Sequence, residues 1–178
     1  MLSVVNSFTP PGEISSAMVR ELFAYWQEKC AGRIAPKPRD IEPGELKRLL
    51  PFIAISDVLH DPFTLRFRLV GTSIVEAVGY DFTGKRFDEM PVTTGLDIWM
   101  AHYRRVVERK GPYYGRYRGE LGPDSVRHVD HGAFPLSSGG NSVDRIIEIE
   151  DWSGVHGVGL GKSDTPIWHF QPLPGPGD

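Results

Sequence analysis

Apolar residues recur at helical spacing along two stretches of the chain. Residues 15–30 and 94–110 each place an apolar side chain at every third or fourth position, the pattern of a helix with one buried face. Shorter helices are predicted over residues 43–50 and in the apolar run that ends at Gly79. We therefore expect two long and two short helices.

Strands are predicted where apolar and polar residues alternate, or where β-branched residues are dense and turn residues flank the run. The predicted strands span residues 52–59, 64–70, 113–120, 127–136 and 143–152. The first two are separated by only a short turn, so they form a hairpin, and the last three follow one another as a meander.

The order of these elements predicts the fold class. A hairpin, a helical crossover and a three-strand meander make an α+β domain with a five-stranded antiparallel sheet. The crossover helices would cover one face of this sheet, and the extra N-terminal helix would be available for the other face or for a partner. We place the domain at residues 14–152, between a flexible arm at 1–13 and an extended Gly/Pro-rich tail at 153–178.

Composition and charge narrow the function classes. The 178 residues carry a net charge of −3, which favours neither nucleic acid nor an anionic membrane as a partner. No apolar run is long enough to span a bilayer, and the N-terminus lacks the basic start of a signal peptide. Because Cys30 is the single cysteine, no internal disulfide can form, and we expect a cytoplasmic protein.

Several short motifs resemble, in order, a PAS-like family of short bacterial proteins, mostly alphaproteobacterial and of unknown function. The strongest motif is FRLVGT at residues 67–72. It lies between PRDIEP at residues 38–43 and DFTGK at residues 81–85. The resemblance covers residues 20–150 and implies a PAS-like fold with a sensory or interaction role. It implies no catalytic residues and no particular ligand.

The resemblance and the periodicity together predict a ligand pocket between the sheet and the crossover helices. The candidate lining residues are apolar or aromatic: Ile55, Phe67, Leu69, Ile74, Val78, Trp99, Tyr103, Phe134 and Ile147. We predict no cofactor, and the expected ligand is an unidentified small molecule or a partner protein. No output domain is expected after residue 152, so a signal would leave through a signalling partner or by self-association.

A second hypothesis makes the protein a dimerisation or adaptor module with a filled core and no ligand. It rests on the apolar stripe of the N-terminal helix, formed by Val19, Leu22, Phe23 and Trp26. This stripe would be the contact of a homodimer. The two hypotheses therefore differ in which face of the domain is functional.

Side chains able to bind a metal ion cluster only at His128, Asp130 and His131. Strand alternation puts His131 on the face opposite the other two, so we predict no metal site and interpret the three as polar residues of a half-exposed strand. His102, on the second long helix, is the candidate ligand for a haem-binding alternative, by resemblance to haem-binding PAS proteins. Its neighbours carry much of the apolar stripe, so we expect its ring to point to solvent.

The charged residues of the strands are interpreted as a solvated surface of mixed charge. Glu148 and Glu150 alternate with Ile147 and Ile149, and the isoleucines are assigned to the inner face. The arginines of this surface are Arg66, Arg68, Arg116 and Arg118. Because no two titratable groups then share the inner face, an α+β enzyme remains the less favoured alternative and no catalytic residue is predicted.

Overall fold

The computed structural model describes residues 14–90, 92–120, 126–139, 141–152 and 168–172. Within these residues the α-helices are α1 (Ala17–Cys30), α2 (Thr72–Val78) and α3 (Leu96–Arg109). Short 3₁₀-helices lie at Pro38–Asp40, Leu50–Phe52 and Phe87–Glu89. The two long helices were predicted to within two residues at each end.

The ends of α1 follow from local chemistry. Ser16 caps its start, since the hydroxyl accepts a hydrogen bond from the backbone N–H of Val19 at 3.2 Å. The helix ends at Ala31, which takes a left-handed conformation with φ 47° and donates its N–H to the carbonyl of Glu28.

The prediction of a helix over residues 43–50 is wrong. This segment forms consecutive turns in which Glu45 and Leu46 donate their N–H groups to the carbonyls three residues before them. Pro43 lacks an N–H and Gly44 has a low helix propensity, so the segment begins with two residues that disfavour a helix, and Pro51 ends it. The turns instead bury Leu46 and Leu49 against the sheet.

The strands are β1 (Ile53–Leu59), β2 (Thr64–Val70), β3 (Val92–Thr94), β4 (Tyr113–Glu120), β5 (Val126–Leu136), β6 (Arg145–Asp151) and β7 (Trp168–Pro172). They form one sheet in the order β2-β1-β6-β5-β4-β7-β3. The first five strands of that order are antiparallel neighbours, which confirms the predicted α+β fold.

Strands β3 and β7 were not predicted. β7 pairs antiparallel with β4, and β3 pairs parallel with β7. β3 is only three residues long, and β7 lies in the Gly/Pro-rich region that was interpreted as a tail, so neither shows a strong alternation. The predicted tail thus contributes a strand to the sheet, while the predicted arm at 1–13 lies outside the described residues.

Each face of the sheet has its own core. On the α1 face, α1 packs against apolar side chains of the strands, including Phe134, Ile147 and Ile149. On the α3 face, α2, α3 and the 3₁₀-helix at Phe87–Glu89 pack against the opposite side of the same strands. In the part of the chain that the structure describes, no helix is long and apolar enough to cross a membrane.

Strand register decides which side chains point to which face. In β6, Ile146 and Glu148 lie on the α3 face, and Ile147 and Ile149 lie on the α1 face. In β2, a bulge changes the register, because Phe67 is opposite Ser56 whereas Leu69 is opposite the preceding residue of β1. The extra residue turns Leu69 away from the α3 face, and 41% of its surface is exposed.

Candidate functional site

A cavity of about 50 Å³ lies between the α3 face of the sheet and the helices that cover it. One buried water needs roughly 10–15 Å³ on the same measure, so this cavity holds several waters or one small molecule. Its lining residues are Ala54, Phe67, Ile74, Val78, Phe82, Phe87, Met90, Trp99, Tyr103, Tyr117, Glu148, Glu150 and Trp152. We call this space the α3 cavity.

The α3 cavity brings together part of the predicted pocket. Phe67 from β2, the α2 residues Ile74 and Val78, and Trp99 and Tyr103 from α3 all line it. These five positions follow the helical and strand periodicities on which they were predicted. Whether they contact a ligand stays a prediction.

The other four predicted pocket residues lie on the α1 face, on the side of the sheet opposite the cavity. Phe134 is fully buried beneath α1, where its ring lies 6.1 Å from that of Trp26. Ile55, Leu69 and Ile147 line a separate groove on the α1 face. The prediction for Leu69 failed because the bulge in β2 turns this side chain to the α1 face. The prediction for Ile147 failed because the apolar side of β6 was assigned to the α3 face, whereas Ile147 pairs with Phe134 and Ile55 on the α1 face.

Two carboxylates that were assigned to solvent lie inside the α3 cavity instead. Glu148 is 2% exposed, and its carboxylate accepts hydrogen bonds from Tyr103 at 2.6 Å and from Ser56 at 3.2 Å. The Nε2 atom of His131 lies 3.4 Å from the same carboxylate. The buried glutamate is therefore surrounded by polar groups from β1, α3 and β5, which compensates part of the cost of its burial.

Glu150 lies two residues further along β6 on the same side. Its Oε2 atom accepts hydrogen bonds from the hydroxyl of Tyr117 at 3.0 Å and from the indole N–H of Trp152 at 2.7 Å. Burial raises the pKa of Glu150 above its ordinary value, and the charge of Glu148 adds to the shift while His131 opposes it. The two carboxylates thus share one low-dielectric site.

The tyrosines of this network are held in their neutral, donating form. Burial raises the pKa of Tyr103 well above 10, and the adjacent Glu148 raises it further. Tyr117 shows the same shift, caused by burial and then by Glu150. Both hydroxyls therefore remain hydrogen-bond donors to the carboxylates throughout the physiological pH range.

The sequence signal for this network is the alternation in β6, but its polar side was assigned to solvent. Glu148 and Glu150 alternate with isoleucines, and a polar side of a strand normally faces water. Here α1 covers the isoleucine side, so the glutamate side must face the second layer of helices. This arrangement also places His131 on the same face. Several titratable groups therefore share the inner face, and the argument by which the sequence disfavoured an enzyme is wrong.

A second cavity, of about 20 Å³, lies beside the first and shares Trp99 and Tyr117 with it. His102 lines it and does not point to solvent, because its ring stacks on Tyr113 at 4.4 Å between centroids. Burial lowers the pKa of His102 from 6.5 to about 4, and the charges of His131 and Arg105 add to the shift. At these volumes neither cavity accommodates a macrocycle such as haem.

Two residues of the predicted metal cluster, Asp130 and His131, lie on opposite faces of the sheet, as the strand alternation predicted. His131 is 2% exposed on the α3 face, so its interpretation as part of a half-exposed strand is wrong. Asp130 points to the other face, where it forms an ion pair with Arg116 at 2.6 Å. The side chain of His128 lies outside the described ones, and among those described no group of three or more potential ligands is arranged to hold a metal ion.

The apolar stripe of α1 covers the protein's own sheet. Val19 and Leu22 are fully buried, and the indole N–H of Trp26 donates to the carbonyl of Pro135 at 2.8 Å. Phe23 packs its ring edge-on against Tyr114 at 5.5 Å. The proposal that these four residues form a dimer contact is therefore wrong for this conformation, since the sheet already occupies the stripe.

Comparison with known families gives one match. Residues 14–114 match the family of the description "PAS domain", a segment that runs from the start of α1 into β4 and covers more than half of the chain. A search of curated proteins finds no match. Because β6 lies beyond the matched segment, the family match supports the fold, and the roles of Glu148 and Glu150 must be argued from the structure alone.

Proposed function

Since the chain belongs to the PAS domain family, whose members are sensory or interaction modules, we propose that it is a sensory protein that binds a small molecule in the α3 cavity. The observation that carries this proposal is the pair of carboxylates on the cavity wall, of which Glu148 is buried and Glu150 is partly buried. A core gains stability from apolar packing, whereas buried carboxylates cost desolvation free energy. Their presence at a cavity is typical of a binding site.

The proposal is for binding without catalysis. Both carboxylate oxygens of Glu148 accept hydrogen bonds, from Ser56 on one side and from Tyr103 on the other. These two hydrogen bonds, with Nε2 of His131 at 3.4 Å, hold the carboxylate in a fixed position on the wall of the cavity. We therefore assign Glu148 to the framework of the site, and the protein to a regulatory role in the cytoplasm.

A route for the signal supports the same proposal. Glu150 and Trp152 line the cavity, and Asp151 between them points to the opposite face. There its carboxylate accepts a hydrogen bond from the hydroxyl of Ser16, the N-cap of α1, at 2.5 Å. A ligand that shifts the end of β6 would therefore change the anchoring of α1, which is a population shift between two states of that helix.

Cavity filling tests this function directly. The variant Ala54→Leu places a larger side chain on the cavity wall, whereas Ala24→Leu makes the same change at an exposed position of α1. We expect small molecules that raise the melting temperature of the wild-type protein to do so equally for Ala24→Leu and not for Ala54→Leu. Native mass spectrometry of the protein as purified from cells would provide the second readout.

Two results would overturn the proposal. One is that a diverse library of small molecules yields no compound that binds the wild-type protein. The other is that compounds bind Ala54→Leu as tightly as Ala24→Leu, because the site would then lie elsewhere.

A further inference from the structure

We propose that the ligand of the α3 cavity is a small organic cation, such as a methylated ammonium ion, held between Glu150 and the aromatic side chains of the wall. This inference rests on the proposed function and specifies the chemical class of the ligand. Three independent features of the cavity support it: its charge, an available carboxylate oxygen, and its aromatic lining.

The charge of the lining is negative. Glu148 and Glu150 are the charged residues among the described lining, which contains no lysine or arginine. The nearest basic group is His131, next to Glu148. The charged side chains of the lining are thus carboxylates alone, and a cationic ligand would compensate their negative charge.

Glu150 has one oxygen available to a ligand. Tyr117 and Trp152 both donate to its Oε2 atom. No described residue donates to Oε1, although the side chain lines the cavity. This oxygen attracts a cationic group by its charge, and where the group carries an N–H it also accepts a charge-assisted hydrogen bond, about twice as strong as a neutral one.

The wall of the cavity is aromatic, and aromatic rings attract cations. Seven of the thirteen lining residues are Phe, Tyr or Trp. They form a continuous set, in which Trp99 lies 5.0 Å from Tyr117 and 5.7 Å from Tyr103, and Tyr117 lies 6.3 Å from Trp152. Rings around a methylated ammonium ion bind it through the negative potential of their faces, in addition to apolar contact.

The cation would compete with a proton. His131, Glu148, Tyr103 and Tyr117 face Glu150 from β5, β6, α3 and β4, and burial raises the pKa of this carboxyl in the ligand-free state. A bound cation favours the ionised form of Glu150 and lowers its pKa again. Binding should therefore release protons, and affinity should increase with pH across the titration of Glu150.

A charge series on the wild-type protein tests the inference. Tetramethylammonium, tert-butanol and pivalate have similar branched shapes and are cationic, neutral and anionic. Binding can be followed by the fluorescence of Trp99 and Trp152 and by calorimetry in buffers of different ionisation enthalpy, which measures proton release. We expect tetramethylammonium to bind at least about tenfold more tightly than either of the others.

Two glutamine variants complete the test. Glu150→Gln removes the charge at constant shape, and Glu76→Gln makes the same change at an exposed position of α2. We expect Glu150→Gln to bind the cation about 10- to 100-fold more weakly without proton release. Glu76→Gln should bind it like the wild-type protein.

The outcomes separate this inference from the proposed function. If tert-butanol or pivalate binds as well as the cation, or if Glu150→Gln binds the cation unchanged, the cation inference is wrong, and the cavity remains a ligand site of another class. If none of the three probes binds, the cation inference is also wrong. The proposed function is then decided by the comparison of Ala54→Leu with Ala24→Leu.

Discussion

The two faces of the sheet are built from the same strands but differ in the side chains that they bury. On the α1 face, β6 contributes Ile147 and Ile149 to a core in which both are at most 1% exposed. On the α3 face, the intervening Glu148 and Glu150 line a cavity together with tyrosines and tryptophans. The α1 face is closely packed and apolar, whereas the α3 face contains a cavity and places polar groups in the interior.

This difference concerns how each face is stabilised. An apolar core is stabilised by every buried methylene, so the α1 face gains from close packing. A buried polar network is stable only if its donors and acceptors match, so the α3 face restricts which side chains can occupy it. The two faces should therefore respond differently to truncation, pH and loss of a hydrogen bond.

Truncation of the α1 face should have the largest effect. Phe134→Ala removes a fully buried ring that packs against Phe23, Trp26 and Tyr114. We expect the free energy of unfolding to fall by ~3–5 kcal/mol, measured by urea denaturation. The exposed Ile34→Ala serves as the control and should change stability by less than about 0.5 kcal/mol. A loss below about 1 kcal/mol for Phe134→Ala would contradict the close packing of this face.

The pH dependence should come from the α3 face. The pKa of His102 falls from 6.5 to about 4 on folding, so the unfolded chain takes up a proton before the native protein does. This histidine therefore stabilises the fold at neutral pH, by at most ~3 kcal/mol, and the contribution is lost as pH falls from 6.5 toward 4. In His102→Gln, the free energy of unfolding should fall less steeply over that window.

The raised pKa of Glu150 has the opposite sign, because its contribution is present at low pH and is lost as pH rises through the folded pKa. Glu150 is retained in both proteins, so its effect cancels when the wild-type protein is compared with His102→Gln. Parallel pH profiles of the two proteins would show that His102 is not buried as described.

A smaller effect is expected when the polar network loses its acceptor. Glu148→Gln replaces an oxygen by an amide N–H and leaves Tyr103 or Ser56 with a donor opposite a donor. We expect a loss of ~1–3 kcal/mol in the free energy of unfolding. A double-mutant cycle with Tyr103→Phe should give a coupling free energy of ~0.5–3 kcal/mol, and a coupling near zero would contradict the hydrogen bond.

The fold could be predicted because its elements carry local signals. The alternation in residues 64–70 and the stripe of α3 depend only on neighbours in the sequence, and the structure gives β2 the same bounds. The strand order follows from the resemblance of the short motifs to a known family. β3 and β7 could not be predicted, because β3 is only three residues long and β7 lies in a Gly/Pro-rich region, so neither carries a strong alternation.

The site was predicted only in part, because its polar half depends on tertiary structure. Periodicity assigned Phe67, Trp99 and Tyr103 correctly, since apolar residues of that face meet the crossover helices. The same rule assigned Glu148 and Glu150 to the solvent-exposed side, because it assumes that one side of each strand faces water. With helices on both faces, the side of β6 that lines the α3 cavity is the side that the alternation marks as polar.

The smallest effect we predict concerns the link between the two faces. Ser16 caps α1 and also donates to Asp151, which lies between Glu150 and Trp152. Ser16→Ala should lower the free energy of unfolding by ~1 kcal/mol, the usual contribution of a helix cap.

The exposed Ser15→Ala provides a control in which the cap of α1 is retained. Ser16→Ala also tests whether the contact between Ser16 and Asp151 transmits a signal. Hydrogen exchange at the first amides of α1 should slow or quicken when a ligand fills the α3 cavity of the wild-type protein, and this response should be reduced in Ser16→Ala. If the response persists at full size without the serine, the faces are coupled by another path, and the contact contributes stability alone.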